Sequence, residues 1–184
     1  METGRQKTYR FLSKHFAKIA MAAALVIIAS LIFGAPIKTI ILAAILIAVA
    51  SASTFYFNYV SAPINFELVK LSTILMAYTH GMAAGLAVGI TSTLLGKILI
   101  GRIDEKLPIS AAAISVIAIL AALFPTADIA TLGIALTAIY NISLLALSLA
   151  TGGQLSWNLP YEGTNFIINL ILFTRIAPFI ANLL

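Results

Sequence analysis

The strongest constraint on the fold is the length of the apolar runs, which extend for about 15 to 22 residues between short polar breaks. An α-helix needs about 20 apolar residues to cross the hydrocarbon core of a bilayer. The chain is 61% hydrophobic, against about 45–50% in soluble domains, so it lacks the polar residues that would cover a core in water. The sequence therefore predicts an all-α integral membrane protein, a bundle of six to seven transmembrane helices in the lipid bilayer.

The runs divide residues 1–184 into seven segments of one transmembrane domain. Residues 66–100 contain no proline, but as one helix they would be about 52 Å long, against a hydrocarbon core of about 30 Å. A break is therefore expected at Thr79-His80-Gly81, leaving a short third helix that is tilted, incomplete or shielded by its neighbours. The predicted segments are 17–33, 37–57, 66–78, 81–100, 107–124, 129–150 and 166–184.

The basic residues predict how the chain is oriented. Five of the 11 Lys and Arg residues precede or enter the first run: Arg5, Lys7, Arg10, Lys14 and Lys18. Residues 1–16 are interpreted as a cytoplasmic, lipid-anchored N-terminal segment of a multi-pass plasma-membrane protein, rather than as a nucleic-acid site or a cleaved signal peptide. Lys97, Arg102 and Lys106 flank or lie in the loop 101–106. That loop is cytoplasmic if all seven segments cross and external if the first does not.

Two stripes of small residues predict close helix packing. Gly81, Gly85, Gly89, Ser92 and Gly96 fall within about 80° of arc on the fourth segment. Small residues four apart allow helices to approach closely in lipid, although the same groove could pass a substrate. A weaker stripe on the second segment comprises Ala44, Ala48 and Ala52.

Polar residues at membrane depth are the candidate substrate-binding residues. A charge at the bilayer centre costs at least about 2.5–3.5 kcal/mol, so such residues are expected to face the bundle interior. Each charged candidate also has a structural interpretation. Glu67 and Lys70, three residues apart, could form an interfacial ion pair. His80 could be a hinge residue, and Arg175 could lie near a helix end. The side-chain amides of Asn141, Asn165 and Asn169 either join helices by hydrogen bonds or line a water-filled site. The full set is Glu67, Lys70, His80, Asn141, Trp157, Asn165, Asn169 and Arg175.

The polar stretch 151–163 has two interpretations. Trp157, Asn158, Tyr161 and Glu162 could form a lid over a binding site, or the aromatic side chains could belong to an interfacial belt.

Several chemistries lack their sequence signatures. The chain has no cysteine, no Gly-x-x-x-x-Gly-Lys-Ser/Thr loop, no His-Glu-x-x-His and no Gly-x-Ser-x-Gly. We expect neither an enzyme nor a bound cofactor or metal, and active transport would require an ion gradient or another subunit.

Residues 63–99, PINFELVKLSTILMAYTHGMAAGLAVGITSTLLGKIL, resemble the substrate-binding S component of energy-coupling factor (ECF) transporters, and in part MreD-like cell-shape proteins. The likeness extends more loosely over 37–184. The S-component resemblance implies a six-helix protein that captures a vitamin-like molecule on the outer side and pairs with a membrane coupling subunit and two ATPases. Ala44, Ala48 and Ala52 match the positions that contact the coupling subunit.

The leading hypothesis is therefore a small-molecule uptake subunit of the S-component type, with a closed polar cavity reaching Asn141, Asn165 or Asn169. The alternative is a non-transporting scaffold of the MreD kind that docks partner helices. A third hypothesis, a lipid-modifying enzyme, requires Glu67, His80 and Arg175 to converge on one cavity.

Overall fold

The computed structural model describes residues 36–60, 62–101, 103 and 107–184, and this part of the chain is helical without strands. The predicted segment 17–33, the basic residues before it, Arg102 and Lys106 lie outside the described residues. The elements are α1 (Ile37–Ser53) with a 3₁₀ turn (Thr54–Asn58), α2 (Val69–His80), α3 (Met82–Leu99), α4 (Leu107–Leu123), α5 (Ile129–Ala150), α6 (Leu155–Ile171), a π-helical turn (Leu172–Ile176) and α7 (Ala177–Leu183).

Four of these helical stretches are long and apolar enough to cross a membrane: Ile37–Asn58, Met82–Leu99, Ile129–Ala150 and Leu155–Leu183. Helix α4 is equally apolar but slightly shorter. Large apolar side chains cover the outside of the bundle as well as its core; Ile142, for example, is 67% exposed. The predicted class, an all-α membrane bundle with a short third helix, is confirmed.

Helix α2 is that short helix, and its neighbours shield it. Its 12 residues end at His80, and the break falls at Gly81, whose φ of +85° favours glycine over residues with a side chain. Every residue from Val69 to Ala77 is buried. The preceding irregular segment is partly buried too, which membrane proteins tolerate where such backbone is enclosed by protein.

The last transmembrane stretch begins earlier than predicted. The sequence predicts a start at residue 166 because the stretch 151–163 is polar, yet α6 already begins at Leu155. Pro160 is exposed in the second turn of α6, where it lacks the N–H for one backbone hydrogen bond. The continuous stretch to Leu183 has 29 residues, about 44 Å, which exceeds the hydrocarbon thickness.

Helix α3 packs closely through its glycine face. A Cβ atom at Gly85 would lie 2.3 Å from the Cβ of Ala77, and one at Gly89 would lie 2.8 Å from Oγ1 of Thr73, both on α2. At Gly96 the nearest atom is Oγ1 of Thr54, at 3.1 Å, beyond the end of α1. Gly81 meets nothing within 4 Å, so it supplies the turn and not a packing contact.

The antiparallel order of the helices fixes which loops share an end of the bundle. Helices α1, α3 and α5 end where α4 and α6 begin, as Asn58 shows by donating a hydrogen bond to the carbonyl oxygen of Leu99 at 3.4 Å. At the other end, Tyr78 donates to the carbonyl of Ala127 at 3.0 Å. This second end holds the α2–α3 and α4–α5 turns.

Candidate functional site

A cavity of about 320 Å³ opens into the end of the bundle where α1, α3 and α5 finish; we call this the cavity end. Its volume lies at the lower limit of small-molecule sites, about 300–1,000 Å³. Six parts of the chain form its wall: the 3₁₀ turn after α1, the segment before α2, the second half of α3, the start of α4, and the facing halves of α5 and of α6. The polar and aromatic residues of the wall include Asn65, Glu67, Ser92, Tyr140, Ser148, Trp157, Asn158, Tyr161 and Glu162.

The cavity is elongated along the bundle. On α5 the lining residues run from Tyr140 to Thr151, a rise of about 16 Å. Asn141 donates a hydrogen bond to the backbone carbonyl of Glu162 at 3.1 Å, which places Glu162 level with Tyr140 at the inner end. Trp157, five residues earlier on α6 and half exposed, lies toward the mouth.

A buried ion pair forms part of the inner end. The ammonium group of Lys70, whose side chain is fully buried, donates to the carboxylate of Glu67, which is 18% exposed and lines the cavity. The same ammonium lies 4.3 Å from the centroid of the Tyr140 ring. The carboxylate and the ring face together compensate the charge that Lys70 carries into the interior.

Buried amides join the segment before α2 to α5 and α6. Asn141 donates to Oδ1 of Asn165 at 3.1 Å, and Asn165 donates to the backbone carbonyl of Asn65 at 3.3 Å. Asn169 donates to the backbone carbonyl of Asn165 at 2.9 Å. All four side chains are at most 5% exposed, so this network stabilises the helix arrangement behind the cavity.

The wall contains more hydrogen-bond acceptors than its partners satisfy. Within the described residues, Oδ1 of Asn65, Oε2 of Glu162 and the hydroxyl oxygens of Ser92 and Ser148 are buried without a hydrogen-bond partner, and all four residues line the cavity. Unsatisfied buried polar atoms are rare in folded proteins and indicate bound water or a ligand.

Aromatic rings hold the mouth side of the wall. Phe57 and Tyr161, which both line the cavity, stack with centroids 5.8 Å apart. The hydroxyl of Tyr56 accepts from the backbone N–H of Phe66 at 2.7 Å and donates to the carbonyl of Ile64 at 2.6 Å. These bonds fix the irregular segment that carries Asn65 and Glu67.

The structure separates the predicted substrate-binding residues into three groups. Glu67 and Trp157 line the cavity, and Lys70 and the three amides lie behind its wall. His80 and Arg175 do not line it. His80 contacts Thr79 at the far end of α2, about 16 Å along the helix from Val69, which lines the cavity. Arg175 is exposed, about 30 Å from the start of α6, so the convergence that a Glu67–His80–Arg175 centre requires does not occur.

Sequence reasoning missed Tyr140 and placed Glu162 differently. Residues 157–162 belong to helix α6, and Trp157, Asn158, Tyr161 and Glu162 line the cavity. Tyr140 precedes Asn141 by one residue, but it interrupts an otherwise apolar run, and a tyrosine there is indistinguishable from an ordinary core residue until Lys70 is placed over it.

No described group of three or more His, Asp and Glu side chains is close enough to hold a metal ion. Comparison of the chain with protein-family models, with curated proteins and with solved structures finds no match.

Proposed function

We propose that the protein is a membrane-embedded subunit that binds a small molecule for uptake and is energised by separate subunits, in the manner of an S component. The single observation that carries the proposal is the elongated cavity inside the bundle, whose wall combines carboxylates, unpartnered acceptors and aromatic rings. A bundle that served only as a scaffold would have no need of unsatisfied polar groups around a void.

The proposal fixes an orientation. Helix α3 ends and α4 begins at the cavity end, so the side of the membrane predicted for the loop 101–106 is also the side to which the cavity opens. Uptake requires that side to be external, which in turn requires segment 17–33 not to cross if the N-terminus is cytoplasmic. The positive-inside rule alone favours the reverse.

Cysteine labelling decides the orientation cleanly because the natural chain contains no cysteine. Gln154→Cys lies at the cavity end and Thr126→Cys at the opposite end; both positions are exposed. A membrane-impermeant maleimide applied to intact cells should modify only Gln154→Cys. Labelling of Thr126→Cys alone would contradict uptake from outside.

Native mass spectrometry of protein purified from cells tests binding directly. We expect a small molecule bound one-to-one, and its loss in Leu144→Trp, which fills the cavity from the α5 wall. Ile142→Trp is the matched control, because Ile142 points outward from the same helix and is 67% exposed. Wild-type protein without any bound molecule, or equal occupancy in both variants, would contradict the proposal.

One observation favours a second candidate, the scaffold that docks a partner helix. Ala44, Ala48 and Ala52 are all exposed and form a small-residue face to which another transmembrane helix could approach closely. In this candidate, a membrane partner should co-purify with the protein, without accompanying ATPase subunits. Ala48→Leu should abolish that co-purification. Co-purification with ATPases would instead support the transport proposal.

A further inference from the structure

We propose that the ligand of the cavity is a small organic cation that carries N–H donors on a flat apolar body, such as an amine, an amidine or an amino-substituted heterocycle. This inference rests on the proposed binding function and specifies its substrate class. It follows from the charges, the acceptors and the shape of the inner end of the cavity.

Two carboxylates lie at the inner end of the cavity. Glu67 and Glu162 both line the cavity, as does Lys97 of α3, and Lys70 lies beside Glu67 behind the wall. Lys70 is hydrogen-bonded to Glu67, and Oε2 of Glu162 has no hydrogen-bond partner. The carboxylate of Glu162 therefore has an oxygen without a partner, and a bound cation would donate a hydrogen bond to it in surroundings where charge is poorly solvated.

The unpartnered groups of the wall can all accept hydrogen bonds. The ionised carboxylate of Glu162 accepts hydrogen bonds and cannot donate them. The hydroxyl groups of Ser92 and Ser148 can accept as well. A ligand with several N–H groups satisfies such a wall, whereas a carboxylate or phosphate ligand would add further acceptors to it.

The remaining wall suits a flat apolar body. Above Glu162 toward the mouth, Trp157, the Phe57–Tyr161 stack and the aliphatic side chains of Leu144 and Leu147 line the cavity. Aromatic walls bind flat rings by stacking and attract cations through their ring faces. The cation is thus expected at the carboxylate end and the ring beside Trp157.

Three probes of nearly equal size and shape test the charge directly: benzamidine, benzamide and benzoate. Trp157 is the single tryptophan of the chain and lines the cavity, so its fluorescence in the purified full-length protein reports occupancy. We expect benzamidine to bind at least about tenfold more tightly than benzamide, as charge-assisted hydrogen bonds are roughly twice as strong as neutral ones. Benzoate should bind most weakly.

Glu162→Gln, which preserves the side-chain shape, should remove the preference for benzamidine, whereas Asp128→Asn, distant at the α4–α5 turn, should leave it unchanged. Equal or tighter binding of benzamide or benzoate, no response to any probe, or an unchanged preference in Glu162→Gln would each overturn the cation assignment. The proposed function fails separately, if native mass spectrometry finds no bound molecule that Leu144→Trp displaces.

Discussion

The small-residue stripes of α3 and α1 have the same four-residue spacing but different surroundings. Gly85, Gly89 and Gly96 lie against other helices so closely that an added Cβ would meet neighbouring atoms within about 3 Å. Ala44 and Ala48 are exposed on the bundle surface. Spacing permits close approach in both cases, but it does not determine which stripe is used within the chain.

Two differences explain why the α3 stripe packs inside the bundle and the α1 stripe does not. Glycine brings a facing backbone nearer than alanine can. Only Gly81 separates α2 from α3, so the two helices must be antiparallel neighbours. The faces of α2 and α1 that meet α3 also carry hydroxyl groups that find backbone acceptors: Thr73 donates to the carbonyl of Val69 and Thr54 to that of Ser51. The α1 stripe has neither a short connection nor such a facing surface among the described residues.

The largest effect is expected in α2, the helix that the glycine stripe keeps inside the protein. Lys70→Met leaves Glu67 partly buried without its cation, which typically costs about 3–5 kcal/mol. The free energy of unfolding, measured by SDS titration in mixed micelles, should fall by about that amount. Lys38→Met, at an exposed position of α1, should leave it unchanged; equal effects would indicate that α2 is not enclosed.

Gly85→Ala tests the closest contact of the stripe. The new methyl group would overlap the Cβ and the backbone Cα of Ala77, at 2.3 and 2.8 Å, and overpacking of this kind costs about 1–3 kcal/mol. This loss should outweigh alanine's better helix propensity. Ala48→Leu adds a larger group to the exposed stripe and should not change the stability of the isolated protein. If Ala48→Leu were destabilising and Gly85→Ala were not, the α1 stripe and not the α3 stripe would be the packed one.

Gly96→Ala should have a smaller effect than Gly85→Ala. Its Cβ would lie 3.1 and 3.2 Å from side-chain atoms of Thr54, with no backbone atom among its nearest neighbours. Since Thr54 is held by a hydrogen bond to Ser51, some loss remains, at about 1 kcal/mol or less. The same SDS titration checks this order. A loss of stability in Gly96→Ala as large as that in Gly85→Ala would show that α1 and α2 pack equally tightly against α3.

The smallest effect is expected away from both stripes, at the start of α5. The backbone N–H and the hydroxyl of Thr131 donate to Asp128 and lower the pKa of its carboxyl below the usual value. Because the folded-state pKa is the lower one, this cap stabilises the protein above the unfolded pKa, about 3.9, and its contribution disappears as pH falls through the folded value.

Asp128→Ala should therefore lower the unfolding temperature slightly at pH 7, and the difference from wild type should shrink in thermal unfolding curves recorded below about pH 4. A difference that persists or grows in acid would mean that the charged cap is not responsible.

Much of the fold follows from local patterns, as the individual elements illustrate. The bounds of α5 agree with the predicted segment 129–150, and the break at Gly81 follows from the excess length of residues 66–100. The start of α6 was misplaced, because the polar residues of the stretch 151–163 indicate a connection, whereas those from Leu155 onward are helical. His80 and Arg175 stand out in the sequence as polar residues, yet only the packing of the helices shows that they lie away from the cavity.

The sequence by itself determined the solvent of this protein: apolar runs this long must be surrounded by lipid, and polar side chains within them must turn inward. Tertiary structure alone decided which polar groups meet. Glu162 faces the cavity beside Glu67 and Tyr140, nearly 100 residues of chain separate Glu67 from Glu162, and no periodicity encodes that encounter. Charge compensation acts over a few ångströms in space, whereas a sequence pattern records neighbours along one helix.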